Sequence, residues 1–219
     1  MALTILLSGC TVKDFNTGRG AWNAPEYVYQ PTRVKRKYAA ALKTMESGDD
    51  VEAAVQFEQF VDVYPYYPGA YVNLGIIYDR LERTDDAYAM LYRAIDIIPE
   101  YVYALNQLGM MKRRAGDFDG ARNAWLRATK SDPEYLNAWY NLGVLYDIYM
   151  QDLPAALEAY QHYQALFVNT NRDEGYYKGL GVYVPPPVIA PDPEVARWIA
   201  DLERRIGNSP RAANVMEAL

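Results

Sequence analysis

The chain has 219 residues, 51% of them hydrophobic, which is enough to build a sizeable core. Its formal net charge of −6 argues against nucleic acid as a partner, because binding to phosphates depends on a surplus of cations. No apolar run in the sequence reaches the roughly 18 residues that a membrane-spanning helix needs.

The first predicted element is a short apolar run at residues 2–7, which leads to the only cysteine of the protein. The run Leu7-Ser8-Gly9-Cys10 resembles a bacterial lipobox, the motif at which a signal is cut before a cysteine that then receives lipid. The resemblance implies that residues 1–9 are a signal remnant and that Cys10 is lipidated. Thr11, in place of Asp, implies an outer-membrane lipoprotein of the cell envelope that faces the periplasm. The alternative is an accidental apolar N-terminus with a buried cysteine.

Residues 10–33 are predicted to be the lipidated cysteine and a flexible tether. They contain Gly18, Gly20, Pro25 and Pro31 and show no helical period. A flexible chain of this length has an end-to-end distance of about 25 Å. The tether would therefore hold the rest of the protein near a lipid surface without pressing it against that surface.

The central part of the chain, residues 34–167, repeats at a fixed step of 34 residues. Four units are predicted, at 34–67, 68–101, 102–135 and 136–167. The positions that keep this step are Ala53, Ala87 and Ala121, Pro65, Pro99 and Pro133, Leu74, Leu108 and Leu142, and Gly75, Gly109 and Gly143. Such a register is typical of an array of repeated helical units.

Within each unit, the spacing predicts two helices. Tyr71, Leu74, Gly75 and Tyr78 lie at i, i+3, i+4 and i+7 and so form one stripe of a first helix. The pattern resembles the tetratricopeptide repeat (TPR), written W-x2-L-G-x2-Y, then A-x3-F, then P. The resemblance implies an all-α fold, a TPR-like helical solenoid of about four helix pairs with a C-terminal capping helix.

Small and polar residues are expected to shape the helix pairs. Gly75 leaves out side-chain bulk where two helices approach closely. Gly48-Asp49 and Gly116-Asp117 predict turns in which Gly ends one helix in the left-handed region and Asp caps the next. The fourth unit needs one extra residue, which we place near Pro154 from the sequence.

The chain changes character after the fourth unit. Residues 168–191 are rich in Tyr and Pro and are predicted to be extended; we hypothesise that they either lie in a groove of the repeats or are ordered by a partner. Residues 192–207 begin with Asp192-Pro193-Glu194 and form an amphipathic stripe that predicts the capping helix. Residues 208–219 are a tail.

The candidate binding residues lie on the first helices. Asn73, Gln107 and Asn141 recur at the step of 34, and the TPR resemblance implies that such amides face a concave groove that holds an extended peptide. The other candidates for this peptide- or protein-binding groove are Arg80, Tyr103, Asn106, Met110, Arg113, Arg114 and Tyr140. The alternative is that the amides only cap and solvate their helices.

The sequence offers little for catalysis. His162 is the only histidine, and with Cys10 assigned to lipid no Cys–His pair or Cys/His metal cluster remains. Carboxylate pairs such as Asp49-Asp50 and Asp85-Asp86 stand at repeat turns, where capping explains them. We expect no enzyme activity, no metal and no cofactor.

The predicted function is a non-catalytic protein–protein interaction scaffold, a lipid-anchored adaptor that meets the membrane only through its lipid. Residues 142–163 with Asp192-Pro193-Glu194 and Trp198-Ile199 resemble small TPR lipoproteins of Gram-negative bacteria, some of them associated with TonB and ExbB–ExbD systems. One alternative is a pilotin-like assembly factor for type IV pili or secretins. Another is a structural subunit of a surface filament or sheath.

Overall fold

The computed structural model describes residues 31–170 and 193–207, with side chains from 33 to 167 and from 193 to 207. These residues form helices and no strand, which confirms the predicted all-α class. The helices are α1 Pro31–Glu46, α2 Asp50–Val63, α3 Pro68–Arg80, α4 Thr84–Ile97, α5 Val102–Arg114, α6 Phe118–Ser131, α7 Leu136–Val144, a π-helix Leu145–Met150, α8 Leu153–Thr170 and α9 Pro193–Gly207. None of these helices combines the length and the apolar character that crossing a membrane requires.

The chain divides into two compact units. Among the described residues, the first unit holds 31–107 and the second holds 108–170 with 193–207. In the first unit α2 packs on both α1 and α3, and α3 packs on α4. In the second unit α7 packs on α6 and α8, and α9 packs on α8.

The turns between paired helices follow the predicted chemistry. Gly48 and Gly116 adopt φ values of +85° and +80°, the left-handed region that glycine enters without steric cost. The Asp49 carboxylate then accepts a hydrogen bond from the Glu52 amide at 3.1 Å, and the Asp117 carboxylate accepts one from the Gly120 amide at 2.9 Å. Both carboxylates therefore satisfy an amide that the first turn of a helix leaves unpaired.

The repeated glycines lie where paired helices approach most closely. A Cβ atom added to Gly75 would lie 2.9 Å from the Leu91 side chain, and one added to Gly109 would lie 2.5 Å from the Trp125 ring. Gly143 is crowded in the same way by the Tyr160 ring. The large residue of each second helix thus fills the space that the glycine of the first helix leaves, as the sequence predicts.

The extra residue of the fourth unit lies in the π-helix, earlier than the predicted site near Pro154. In the second and third helix pairs, the backbone hydrogen bond that closes the turn joins residues five apart in the sequence. These are Tyr78 with Arg83 and Lys112 with Asp117. In the fourth pair the corresponding bond joins Tyr146 and Asp152, which are six apart. A π-helix takes up one additional residue per turn, so the insertion is absorbed before Gln151, where φ is +54°.

The C-terminal helix α9 closes the second unit. Val195 and Leu202 of α9 are fully buried in one core cluster with residues of α7 and α8, namely Leu136, Ala156, Tyr160, Tyr163 and Phe167. The Trp198 ring packs on the Tyr160 ring with 5.5 Å between centroids. Arg205 also pairs with Asp147 of the π-helix at 3.3 Å. The predicted capping role of this helix is thereby confirmed.

Candidate functional site

Asn73 is part of a buried polar pair in the first unit. Its side chain is fully buried on α3, and its Nδ2 atom donates a hydrogen bond to the Tyr38 hydroxyl at 2.8 Å. Burial raises the pKa of Tyr38, so its hydroxyl stays neutral. This donor is therefore used inside the protein, and a role of Asn73 in binding a ligand stays a prediction.

Two further candidates in the first unit, Tyr103 and Asn106, are also buried. The Tyr103 ring packs edge-on against the Tyr101 ring with 5.3 Å between centroids. The position of both residues on α5 is as predicted, but neither lies on the open surface. Their role in binding a partner stays a prediction.

The remaining candidate binding residues of the first unit are Arg80 and Gln107. Arg80 is exposed at the end of α3 and pairs with Asp50 of α2 at 3.1 Å, while Gln107 is half-buried on α5. Because the Arg80 pair is open to solvent, it contributes little to stability and its guanidinium stays accessible. Among the first unit's candidates, Arg80 and Gln107 are the ones a partner can reach directly.

A polar cluster that the sequence analysis missed surrounds Tyr78. The Tyr78 hydroxyl donates to Glu58 at 2.5 Å, and the guanidinium carbon of Arg83 lies 4.1 Å from the centroid of its ring. Arg83 is held in turn by Asp86 at 2.7 Å. Burial, together with the Glu58 carboxylate, raises the pKa of Tyr78 to about 12. The repeat pattern assigns Tyr78 to the core, and only the contacts show that its hydroxyl joins α2 and α3.

In the second unit, one exposed surface combines apolar and cationic groups. The Tyr149 ring lies 5.0 Å from the Phe118 ring, and the Arg113 guanidinium carbon lies 5.6 Å from the Tyr149 centroid. Tyr149 is 43% exposed and its neighbour Ile148 is 61% exposed. We use the name π-helix patch for Tyr149 with its two contacts Arg113 and Phe118, together with the exposed Ile148 that precedes Tyr149 in the sequence. Tyr and Arg are the residue types that most often dominate the energy of protein interfaces.

Of the four residues in the π-helix patch, the sequence analysis named only Arg113 as a candidate. Ile148 and Tyr149 belong to the π-helix, and the extra residue of the fourth unit was the signal that could have pointed to them. Single π-turns inside α-helices are frequent at functional sites.

The remaining candidates of the second unit differ in exposure. Arg114 is exposed on α5, whereas Met110 and Asn141 are half-buried. Tyr140 is half-buried as well, and its ring packs on Tyr163 at 5.3 Å and on Trp198 at 6.4 Å. The packing of α9 therefore takes up much of the Tyr140 surface that the sequence analysis assigned to a groove.

His162 packs against an aromatic ring. It is half exposed on α8, its ring stacks on Trp139 with 4.2 Å between centroids, and its Nε2 atom lies 4.0 Å from Glu158. Within residues 31–170 and 193–207, no three His, Cys, Asp or Glu side chains gather as a metal site would require. Cys10 and residues 171–191 of the Tyr- and Pro-rich segment lie outside the described residues. Residues 168–170 of that segment continue α8, so the prediction that they are extended was wrong. Residues 31–33, predicted to end the tether, belong to α1.

Sequence comparison with protein families gives two matches. Family models described as tetratricopeptide repeat match residues 68–101 and residues 106–167. These ranges cover the second helix pair and most of the third and fourth pairs. None of the curated proteins matches the sequence.

Solved structures similar to this chain include repeat proteins of the same kind. A crystal structure of MamA is 21% identical, covers 65% of this chain and 81% of its own, and has a TM-score of 0.51. The part of MamA from residue 41 onward, from Desulfovibrio magneticus RS-1, is 17% identical, covers 81% of this chain and 98% of its own, and has a TM-score of 0.52.

YrrB, described as a TPR protein with an unusual peptide-binding site, is 25% identical. The similarity covers 63% of this chain and 70% of YrrB, with a TM-score of 0.50. The two family matches, the close approach of paired helices at glycine and these structural similarities lead to one assignment. Residues 68–101 and 106–167 are tetratricopeptide repeats, and the described helices have the predicted fold of a TPR-like helical solenoid.

Proposed function

We propose that the protein is a non-catalytic scaffold that is anchored by lipid at Cys10 and positions partner proteins in the bacterial cell envelope. Arrays of helical repeats act as interaction modules, since stacked helix pairs offer extended surfaces to another polypeptide. YrrB, which shares the fold, is described as having a peptide-binding site, so an extended peptide of a partner protein is the ligand we propose here.

The observation that carries the proposal is the π-helix patch. Ile148 and Tyr149 are large apolar side chains in an exposed position. Tyr149 packs against both Phe118 and Arg113, so that little side-chain entropy is lost when a partner binds it. Such a rigid aromatic residue beside a cation favours a peptide that carries an apolar side chain next to a carboxylate.

The location in the envelope rests on the motif Leu7-Ser8-Gly9-Cys10. A lipid at Cys10 would raise the effective concentration of the repeats near other envelope proteins without adding any contact. Components of TonB and ExbB–ExbD systems are the partners that the sequence resemblance favours. A filament subunit would instead assemble with copies of itself in a concentration-dependent way.

The proposal is tested by photo-crosslinking in native membranes. A photoreactive residue at Tyr149 is expected to capture an envelope protein. The matched control is Tyr92 of α4, which is 48% exposed and lies in the other compact unit. Capture at Tyr92 but not at Tyr149 would contradict the assignment of the patch, and capture of the protein's own chain alone would favour the filament.

A second measurement tests the anchor. The mass of the mature N-terminal peptide, taken from membranes of the native host, is expected to show a lipid on Cys10. An unmodified Cys10 in the mature protein would remove the lipid anchor from the proposal and leave the interaction scaffold.

A further inference from the structure

Helix α1 carries a charge opposite to that of the whole protein. Its only carboxylate is Glu46, so the helix has a formal charge of +4, whereas the whole chain has a charge of −6. We name the cations of this helix the basic face of α1: Arg33, Lys35, Arg36, Lys37 and Lys43.

The helix is fixed so that its cations point to solvent. Val34, Tyr38, Ala41 and Met45 recur at steps of three and four residues and are all buried. The five cations lie off this stripe and are all exposed. The apolar stripe of α1 is buried inside the protein. The side chains of α1 that remain available for contact with another surface are its charged residues and the small exposed residues between them.

The position of these cations does not stabilise the helix. Four of the five lie within its first seven residues, and the first turn holds no acidic residue. Cations near a helix N-terminus are repelled by the positive end of the helix dipole. Helix stability therefore does not account for the basic face.

The cations of α1 also differ from those of other helices in their pairing. In the described part of the chain, Arg33, Lys35 and Lys37 form no ion pair. Several cations elsewhere meet carboxylates on their own or a neighbouring helix, as in the pairs Arg83 with Asp86, Arg122 with Asp119, and Arg80 with Asp50. At physiological salt, charges further away than about 8 Å are screened, so the local excess on α1 outweighs the net charge of the protein.

We propose that the basic face of α1 binds the headgroups of an anionic phospholipid surface. Clusters of four or more Lys and Arg on an amphipathic helix are suited to such headgroups. The choice of a lipid surface, rather than another polyanion, rests on the proposed anchor at Cys10, because α1 begins at Pro31, 21 residues after that cysteine. The protein would then contact the membrane at two points, and the expectation of contact through the lipid alone would be incomplete.

The test uses the full-length chain with Cys10→Ser, so that no lipid is attached. Its binding to vesicles of phosphatidylglycerol and phosphatidylethanolamine is compared with its binding to phosphatidylcholine vesicles, at low and at high salt. Binding to the anionic vesicles is expected, and it should weaken as salt rises. The triple variant Arg33→Gln, Lys35→Gln, Lys37→Gln is expected to lose affinity on the order of 100-fold.

The matched control neutralises three exposed cations on other helices, Arg93, Arg127 and Lys130, and should retain most of the binding. An equal loss in both triple variants, equal binding to both kinds of vesicle, or no vesicle binding would each overturn the proposal. Binding of the protein to an anionic oligonucleotide, without binding to vesicles, would also overturn it. Vesicle binding by a protein whose Cys10 proves unmodified in the host would refute the anchor and leave the basic face standing.

Discussion

Trp125 of α6 fills the space that a side chain at Gly109 of α5 would need. A Cβ atom at position 109 would lie 2.5 Å from the Trp125 ring, closer than carbon atoms approach in a packed core. The same relationship joins Gly75 with Leu91 and Gly143 with Tyr160. In these three helix pairs the close approach is possible because the first helix carries no side chain at that position.

Gly109→Ala is expected to destabilise the protein by about 1–3 kcal/mol, because the added methyl group overfills the contact with Trp125. Urea unfolding of the second unit measures the change. Gly207→Ala is the control, since no atom lies within 4 Å of a Cβ placed at the end of α9. Equal stability of the two variants would show that close approach does not limit this pair.

The buried pair of Asn73 and Tyr38 predicts an energetic coupling. Tyr38→Phe removes the acceptor of the Asn73 amide and is expected to cost about 1–3 kcal/mol. A double-mutant cycle with Asn73→Ala should show a coupling of about 0.5–3 kcal/mol. Tyr92→Phe, at an exposed position of α4, should change stability by less than about 0.5 kcal/mol. Strict additivity of the Tyr38 and Asn73 changes would contradict a direct bond between them.

The π-helix predicts an unusual tolerance of deletion. Removing Ile148 should let the turn between Leu145 and Met150 close as an ordinary α-helix, because the deletion returns the fourth unit to the step of 34. We expect a small change in melting temperature. Removing Met110 from α5, which has no π-turn, should lower it strongly because the deletion rotates every following buried side chain. Equal losses in the two deletions would argue that the π-turn does not hold the extra residue.

The Tyr78 cluster predicts a loss of stability in alkali. The pKa of Tyr78 is raised from 10.0 to about 12, so the folded state favours the neutral phenol. That contribution is complete below pH 10 and is lost as the pH rises towards 12. Tyr78→Phe should therefore lose less stability than the wild type over this interval, as measured by urea unfolding at a series of pH values. Parallel curves for the two proteins would contradict the assignment.

Much of the fold could be predicted from the sequence because side-chain size and turn chemistry repeat with the chain. Gly109 against Trp125 and the left-handed Gly116 are local requirements that the residue types themselves indicate. The predicted position of the extra residue was wrong, because a π-turn changes the backbone and not the pattern of large side chains. Gln151, which is left-handed without being glycine, gives no composition signal.

The candidate site could be predicted only in part. The repeat register places Asn73 on a first helix, but it does not reveal that Tyr38, 35 residues earlier, accepts its hydrogen bond. Arg113 was predicted to bind, whereas its contact with Tyr149 depends on how the π-helix carries that ring. Which side chains are buried, and which residues they contact, depends on packing between successive repeats. The sequence pattern of a single repeat does not contain that information.

The binding of a partner polypeptide at the π-helix patch is tested most sharply by calorimetry. The affinity of the captured partner is measured for the wild type and for Tyr149→Ala. Truncating an aromatic residue that anchors an interface costs at least about 2 kcal/mol, so we expect a loss of affinity of roughly thirtyfold or more, with an unchanged melting temperature. An affinity equal to that of the wild type would contradict it.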